Sequence, residues 1–313
     1  MAKSLVRVLI AIAIVQCQAI PTLAQAVRIP GTKVSLTPPA GFSPAKRYPG
    51  FERAAEQASI MVTELPAPAD DMMRAMTKQA LASRGMTLIS AQDVLVSGRP
   101  ARLLNVHQPT ANGDVLKWML ITGEPTTTIM VVGTFPAASP PSTGSSIQQA
   151  LLTTSWGAAG APSAFEGLPF RVTPTSRLKV ARRVSNLLMF TESGTTGSPG
   201  STEALYLVGH SIGEGRIADV PSFSETRARQ TNLIKSVGNF EGRVVQVDEL
   251  DAYELEADAL DTRSGVPMRL YQVIIPDDTG YFIVQGLSRA DRAGETFAEF
   301  RAITASFRRV ASR

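Results

Sequence analysis

Cysteine is all but missing from this chain: the one thiol, Cys17, lies in a short N-terminal stretch. A lone cysteine forms no internal disulfide, so the fold must be held by its core alone. Histidine is nearly as scarce, with only His107 and His210. They sit on different predicted elements and suggest no paired metal ligands, and a serine triad would have to draw its base from these two. Long apolar runs are missing too. The longest, Val8 to Val15, is far short of the ~20 residues that a bilayer-spanning helix needs. Finally, no large excess of one charge exists. The formal net charge is +4, and subtracting the two basic residues Lys3 and Arg7 leaves +2. That near-neutrality argues against nucleic acid as a partner.

What is there begins with a targeting pattern. Lys3 and Arg7 precede the apolar run, and Thr22-Leu23-Ala24 or Ala24-Gln25-Ala26 offers a small-x-small cleavage site. Residues 1–26 therefore read as a secretory signal peptide, and Gln16 before Cys17 argues against lipid attachment. The expectation is a periplasmic or secreted protein with no stable membrane span after cleavage. The remaining ~290 residues suit two domains better than one core.

A repeat organises those residues. Gly31 to Arg47 (GTKVSLTPPAGFSPAKR) superposes without a gap on Gly167 to Arg183 (GLPFRVTPTSRLKVARR). Gly31 falls on Gly167, Thr37-Pro38 on Thr173-Pro174, and Ala45-Lys46-Arg47 on Ala181-Arg182-Arg183. Further along, Ala58 matches Ala204, Ala101 matches Ala252, and Leu152 to Trp156 matches Ile303 to Phe307. A period this long is the size of a domain. The predicted boundaries are 27–156 for the first domain, 157–166 for a linker and 167–313 for the second.

Within the first copy, strands are expected near Val34, over Ala58–Leu65, and over Met86–Val96, Ala101–His107, Val115–Thr122 and Thr127–Thr134. Helices are expected from Asp70 to Arg84 and from Ser146 to Ser155. In the second copy, strands are expected over Gly167–Thr173, Asn186–Phe190, Ala204–Val208, Arg243–Val247, Ala252–Ala259, Pro267–Ile275 and Gly280–Gly286. Ser222 with Glu225 predicts a capping box for a helix ending at Gly238, and a last helix covers about Arg289 to Phe307. Four consecutive strands joined by short turns require a largely antiparallel sheet. The predicted class is α+β: two tandem α/β/α sandwich domains, each a sheet with helices packed on it.

Two short motifs carry a family likeness. The turn Pro39-Ala40-Gly41-Phe42 and the step Gly98-Arg99-Pro100-Ala101, leading into a meander and a closing helix, resemble the PsbP-like/DcrB-like family. That family comprises the extrinsic photosystem II subunit and bacterial envelope relatives. The likeness covers residues 31–156 and, more loosely, 167–309, where Arg177-Leu178 replaces Gly41-Phe42. It implies a sandwich used for binding or assembly, generally without catalysis, and it supplies no catalytic residues to transfer.

Three clusters deserve a chemical reading. Gly209-His210-Ser211-Ile212-Gly213 spells G-x-S-x-G, the elbow that would make a serine hydrolase nucleophile of Ser211. No histidine follows Ser211, however, and no helix starts directly after Gly213. Glu254, Glu256 and Asp258 recur at period two and share one strand face. They read either as a site for calcium or a basic partner, or as a solvated face; the spacing lacks the calcium-loop pattern. Lys46-Arg47 and Arg182-Arg183 occupy equivalent places and could meet anionic lipid or an acidic partner, or stand in solvated turns. Gly194 to Gly200 lacks the Lys-Ser/Thr of a phosphate loop. The functional expectation is an exported, non-catalytic binding or assembly protein of the bacterial cell envelope with a protein partner and no cofactor. Small-molecule or lipid binding is the alternative, and hydrolysis at Ser211 a remote one.

Overall fold

The computed structural model describes residues 25–157, 162–196, 203–213, 215–278 and 280–310. The expected signal peptide falls almost wholly outside them, as do the centre of the expected linker and the end of the Gly194–Gly200 segment. The first half runs β1 (Val27–Arg28), β2 (Val34–Leu36), β3 (Ser43–Pro44), β4 (Gly50–Arg53), β5 (Ala58–Leu65), α1 (Ala69–Ala75), α2 (Lys78–Ala82), β6 (Thr87–Val96), β7 (Arg99–Thr110), β8 (Gly113–Glu124), β9 (Thr127–Pro136), α3 (Pro141–Leu152) and β10 (Ser155–Trp156). The second runs β11 (Phe170–Arg171), β12 (Lys179–Val184), β13 (Leu187–Thr191), β14 (Leu205–His210), α4 (Val220–Arg229), β15 (Ile234–Val247), β16 (Leu250–Asp261), β17 (Pro267–Asp277), β18 (Gly280–Arg289), α5 (Ala293–Ala305) and β19 (Arg308–Arg309).

Each half builds one seven-stranded antiparallel sheet, in the orders β3-β4-β5-β9-β8-β7-β6 and β12-β13-β14-β18-β17-β16-β15. The two orders are the same order. Register agrees as well: Ile60 lies opposite Gly133, and its counterpart Tyr206 lies opposite Gly286. Those two glycines are equivalent in packing. A Cβ on Gly133 would run into Ile147 of α3, and one on Gly286 into Phe300 of α5. Each lets the closing helix sink onto the sheet.

Helices cover both faces of each sheet, which gives the expected α/β/α layering. In the first copy Ile147, Ala150 and Leu151 of α3 bury Leu103, Leu120 and Val131. On the opposite face Met76 and Leu81 pack on Leu104, Val106, Met119 and Ile121. In the second copy α5 supplies Phe297, Phe300 and Ile303 against Tyr206, Tyr271, Val273 and Val284, and α4 lays Ala228 against Leu255, Ala257 and Leu270. The alternation of these strand residues assigns the faces, because neighbouring side chains point to opposite sides.

Several local expectations are corrected. The helix expected over Asp70–Arg84 is two helices, beginning at Ala69 after Pro68. Met76 leaves helical geometry at ψ 61°, and the Thr77 side chain then caps a new start by accepting from the Ala80 N–H at 3.2 Å. The α3 helix starts at Pro141 and ends at Leu152, so Ser155-Trp156 is free to pair with β2 as a strand. In α4 the cap is Asp219, not Ser222: its carboxylate accepts the Ser222 N–H at 3.1 Å, and Glu225 pairs instead with Arg229 at 3.0 Å. That helix ends at Arg229, and β15 begins where the helix was expected to continue. The strand expected over Gly167–Thr173 shrinks to two residues paired with β19, and the last helix starts at Ala293 after a 3₁₀ turn. Strands β4 and β12 carry no period-two signal strong enough to predict them.

Candidate functional site

The acidic strand face of β16 is a closed ion-pair network. Glu254, Glu256 and Asp258 point to the α5 side, and Leu255 and Ala257 to the other. Arg243 Nη2 donates to Glu254 Oε1 at 2.6 Å, and Arg301 Nε reaches the same oxygen at 3.3 Å. Arg301 also pairs with Glu256, which Arg269 binds at 3.0 Å while its other arm holds Asp258 at 2.9 Å. The Tyr271 hydroxyl donates to Glu254 Oε2 at 3.1 Å. Burial raises that hydroxyl's pKa, so it serves as a donor. A hydrogen bond from Asn239, helped by Arg269, holds Asp258 below the usual carboxylate range. Three carboxylates thus face three guanidiniums. Glu254 is only 6% exposed, so the reading as a solvated face is corrected there, while the Asp258 side chain stays half exposed. The calcium reading meets carboxylate oxygens already taken by cationic donors, and among the described residues no His/Cys/Asp/Glu group could hold a metal.

Of the basic pairs, Arg182-Arg183 stands at the cleft between the two copies. Lys46 and Arg47 lie in the bend between β3 and β4, with Lys46 exposed. Arg182 and Arg183 lie within β12, and β12 runs beside β5 of the first copy. Arg183 is no solvated turn residue. Its Nε donates to the Ser185 carbonyl at 2.7 Å, and its Nη1 donates to the Glu166 carbonyl. Burial pulls its pKa down to about 10, against the opposing pull of Glu166 and Glu64. Burial lowers Arg182 as well, with Glu64 again opposing. The Arg28 guanidinium grips Glu166 from the first copy and keeps that carboxyl below its usual range. A cavity of about 380 Å³ opens in this cleft, lined by Lys33, Glu64, Thr127, Arg182, Arg183 and Thr196.

The G-x-S-x-G segment ends β14 and makes no nucleophile elbow. Ser211 N–H donates to the Tyr281 carbonyl at 2.8 Å, and the Ser211 hydroxyl accepts from Tyr281 N–H at 3.2 Å and donates to the Gly213 carbonyl at 3.2 Å. The hydroxyl pins a loop. His210 is turned the other way, edge-on to Phe282 at 4.4 Å and 3.7 Å from Asp277. His107 is committed elsewhere, 2.9 Å from Asp114. The partners of the Ser211 hydroxyl are both backbone groups and neither is an imidazole, which the triad needs. A cavity of about 540 Å³ beside Ser211 is lined by Arg216, Asp219, Phe223 and Tyr281.

His210 has a consequence for pH. Burial, and then the Arg47 charge, lower its pKa below the ordinary 6.5, outweighing Asp277. The folded state therefore binds fewer protons than the unfolded state below about pH 6.5, and stability falls as pH drops through that value. The loss levels off once pH is under the folded-state pKa. Urea midpoints between pH 7.5 and 5 should show this slope in the wild type, and His210→Gln should remove it.

These features define a tandem α+β sandwich protein whose charged residues gather at one sheet face and one inter-copy cleft. Neither a family model, the PsbP-like one included, nor a curated protein matches the sequence. Solved structures show distant likeness. LpqN, involved in cell envelope biogenesis of Mycobacterium tuberculosis, aligns with 45% of this chain and 83% of its own at 11% identity and TM-score 0.33. The immunity protein TplEi of T6SS from Pseudomonas aeruginosa, in its apo form, aligns with 92% of this chain and 97% of its own at 8% identity and TM-score 0.34. A chain of the Tle4–Tli4 complex aligns with 87% and 98% at 10% identity and TM-score 0.33. At such scores no activity or partner transfers to this chain. No helix among the described residues is long and apolar enough to cross a membrane.

Proposed function

We propose that this is an exported, non-catalytic binding or assembly protein of the bacterial envelope, a PsbP-like sandwich in two copies, whose partner is another envelope protein. Its modules are residues 27–156 and 167–313, behind a cleaved signal peptide. The observation that carries the reading is the inter-copy cavity. Its lining of Lys33, Arg182, Arg183, Glu64 and two threonines suits an acidic, hydrogen-bonding protein segment better than an apolar one. Lys46, exposed in the β3–β4 bend, and the ion-paired face of Glu254, Glu256 and Asp258, which Asp258 presents to solvent and Glu254 supports from beneath, are the further charged contact surfaces we assign. The test places a photo-crosslinking residue at Lys46 or Arg182 in the exported full-length chain. A discrete adduct with one envelope protein, absent when the same residue replaces Gly98, is expected; adducts identical at all three sites would contradict it. In the same preparation, short-chain nitrophenyl esters should turn over equally slowly with the wild type and with Ser211→Ala.

The alternative, a small-molecule or lipid ligand, is favoured by one other observation. A cavity of about 420 Å³ between α1 and the β6–β7 edge is lined by the apolar Met73, Val94, Leu95, Pro100 and Ala101 together with the charged Asp70, Arg74, Asp93 and Arg102. Native mass spectrometry of the purified chain would reveal a co-purifying ligand.

A further inference from the structure

The contacts between the copies come in reciprocal pairs. The ungapped repeat makes Pro30 equivalent to Glu166 and Gly31 equivalent to Gly167. A Cβ on Gly31 would run into the Arg183 guanidinium and stand 2.7 Å from the Glu166 carbonyl oxygen, and one on Gly167 would stand 2.8 Å from Pro30 Cβ. Thus the glycine of each copy lies against the preceding residue of the other. Both glycines hold positive φ, at +75° and +68°.

A second reciprocal pair lies deeper. The repeat makes Arg47 equivalent to Arg183. The sheets make Glu64 equivalent to His210, because Glu64 lies opposite Ile129 on β9 and His210 lies opposite Phe282 on β18, in the register that also equates Gly133 with Gly286. Arg183 of the second copy lines one cavity with Glu64 of the first, and the Arg47 charge of the first copy bears on His210 of the second. Two domains merely tethered by a linker would touch through unrelated patches. A contact from one residue to another, repeated with the roles exchanged, is the mark of a two-fold, self-complementary interface.

We infer that the two halves bind each other through one and the same surface, arranged about a local two-fold axis, so that the partner this surface fits is a second copy of the module. The departures from symmetry have visible causes. Ala164 occupies the place equivalent to Arg28, and Pro30 that of Glu166, so the Arg28–Glu166 ion pair has no mirror image. Where the first copy offers the Glu64 carboxylate to an arginine, the second offers the neutral His210 ring, which makes one side of the interface electrostatically stronger. This inference does not depend on which external protein the chain holds.

The test uses the full chain with a specific protease site inserted between Gly157 and Pro162. After complete cutting, size-exclusion chromatography with light scattering should find both fragments in one particle. Glu64→Arg, which sets a fourth cation beside Lys33, Arg182 and Arg183, should weaken their association about tenfold or more. Gly31→Ala and Gly167→Ala should both loosen the cut particle, while Gly98→Ala, whose φ is also positive at +73° but which has open space around it, should not. Fragments of the wild type that separate on cutting would overturn the inference. So would a Glu64→Arg protein whose fragments associate as tightly as the wild type, or a loosening caused by only one of the two equivalent glycines.

Discussion

Phe300→Ala should destabilise the second sandwich by about 3–5 kcal/mol, the usual cost of deleting a fully buried aromatic ring. Phe300 has no exposed surface and its ring contacts Tyr206 at 5.4 Å, Phe297 at 5.6 Å and Tyr271 at 5.9 Å. It also fills the space that Gly286 leaves open on β18. The glycine side offers no side chain to relax into that volume. Urea unfolding followed by far-UV circular dichroism measures the loss. Ile147, its counterpart in α3, occupies the same place over Gly133 with a smaller side chain, and Ile147→Ala should cost about 2–4 kcal/mol.

The second large effect belongs to the ion-paired face. Removing Arg243 and Arg301 together leaves the Glu254 carboxylate, at 6% exposure, with only the Tyr271 hydroxyl as a partner. An uncompensated buried charge of this kind costs about 3–5 kcal/mol. The double variant Arg243→Ala/Arg301→Ala should therefore lose about 3 kcal/mol or more at pH 7. Adding Glu254→Gln should recover most of that loss, because the amide carries no charge to strand. If the double variant is as stable as the wild type, the face is solvated in practice and the network contributes nothing.

Much of this architecture is legible in the chain. The long meanders show because their turns carry Gly98-Arg99-Pro100 and Asn112-Gly113, and because β7 to β9 alternate between two buried faces. The repeat shows because Gly31 and Gly167 both need left-handed backbone and so remain glycine. Short pairings such as β10 with β2 and β11 with β19 do not show, since two residues make no period. The break at Met76 depends on both Met76 and Leu81 finding the same sheet face, which is a tertiary fact. The acidic period on β16 is visible, but its arginines come from β15, β17 and α5, so their arrival next to Glu254 and Glu256 is written in no local spacing. Likewise Arg47 and Arg183 are plainly equivalent in the repeat. That each faces the other copy follows only from how the two sheets meet.

The sharpest test uses a distribution that the sequence supplies. Both tryptophans, Trp118 and Trp156, belong to the first copy, and none lies in the second. Their fluorescence therefore reports the first sandwich alone, while circular dichroism reports both. If the copies hold each other through a shared surface, Phe300→Ala in the second copy should move the urea midpoint of the tryptophan signal downward together with the dichroism curve. A tryptophan midpoint that stays at its wild-type value while the dichroism splits into two steps would show two independent domains, and the reciprocal interface would be wrong.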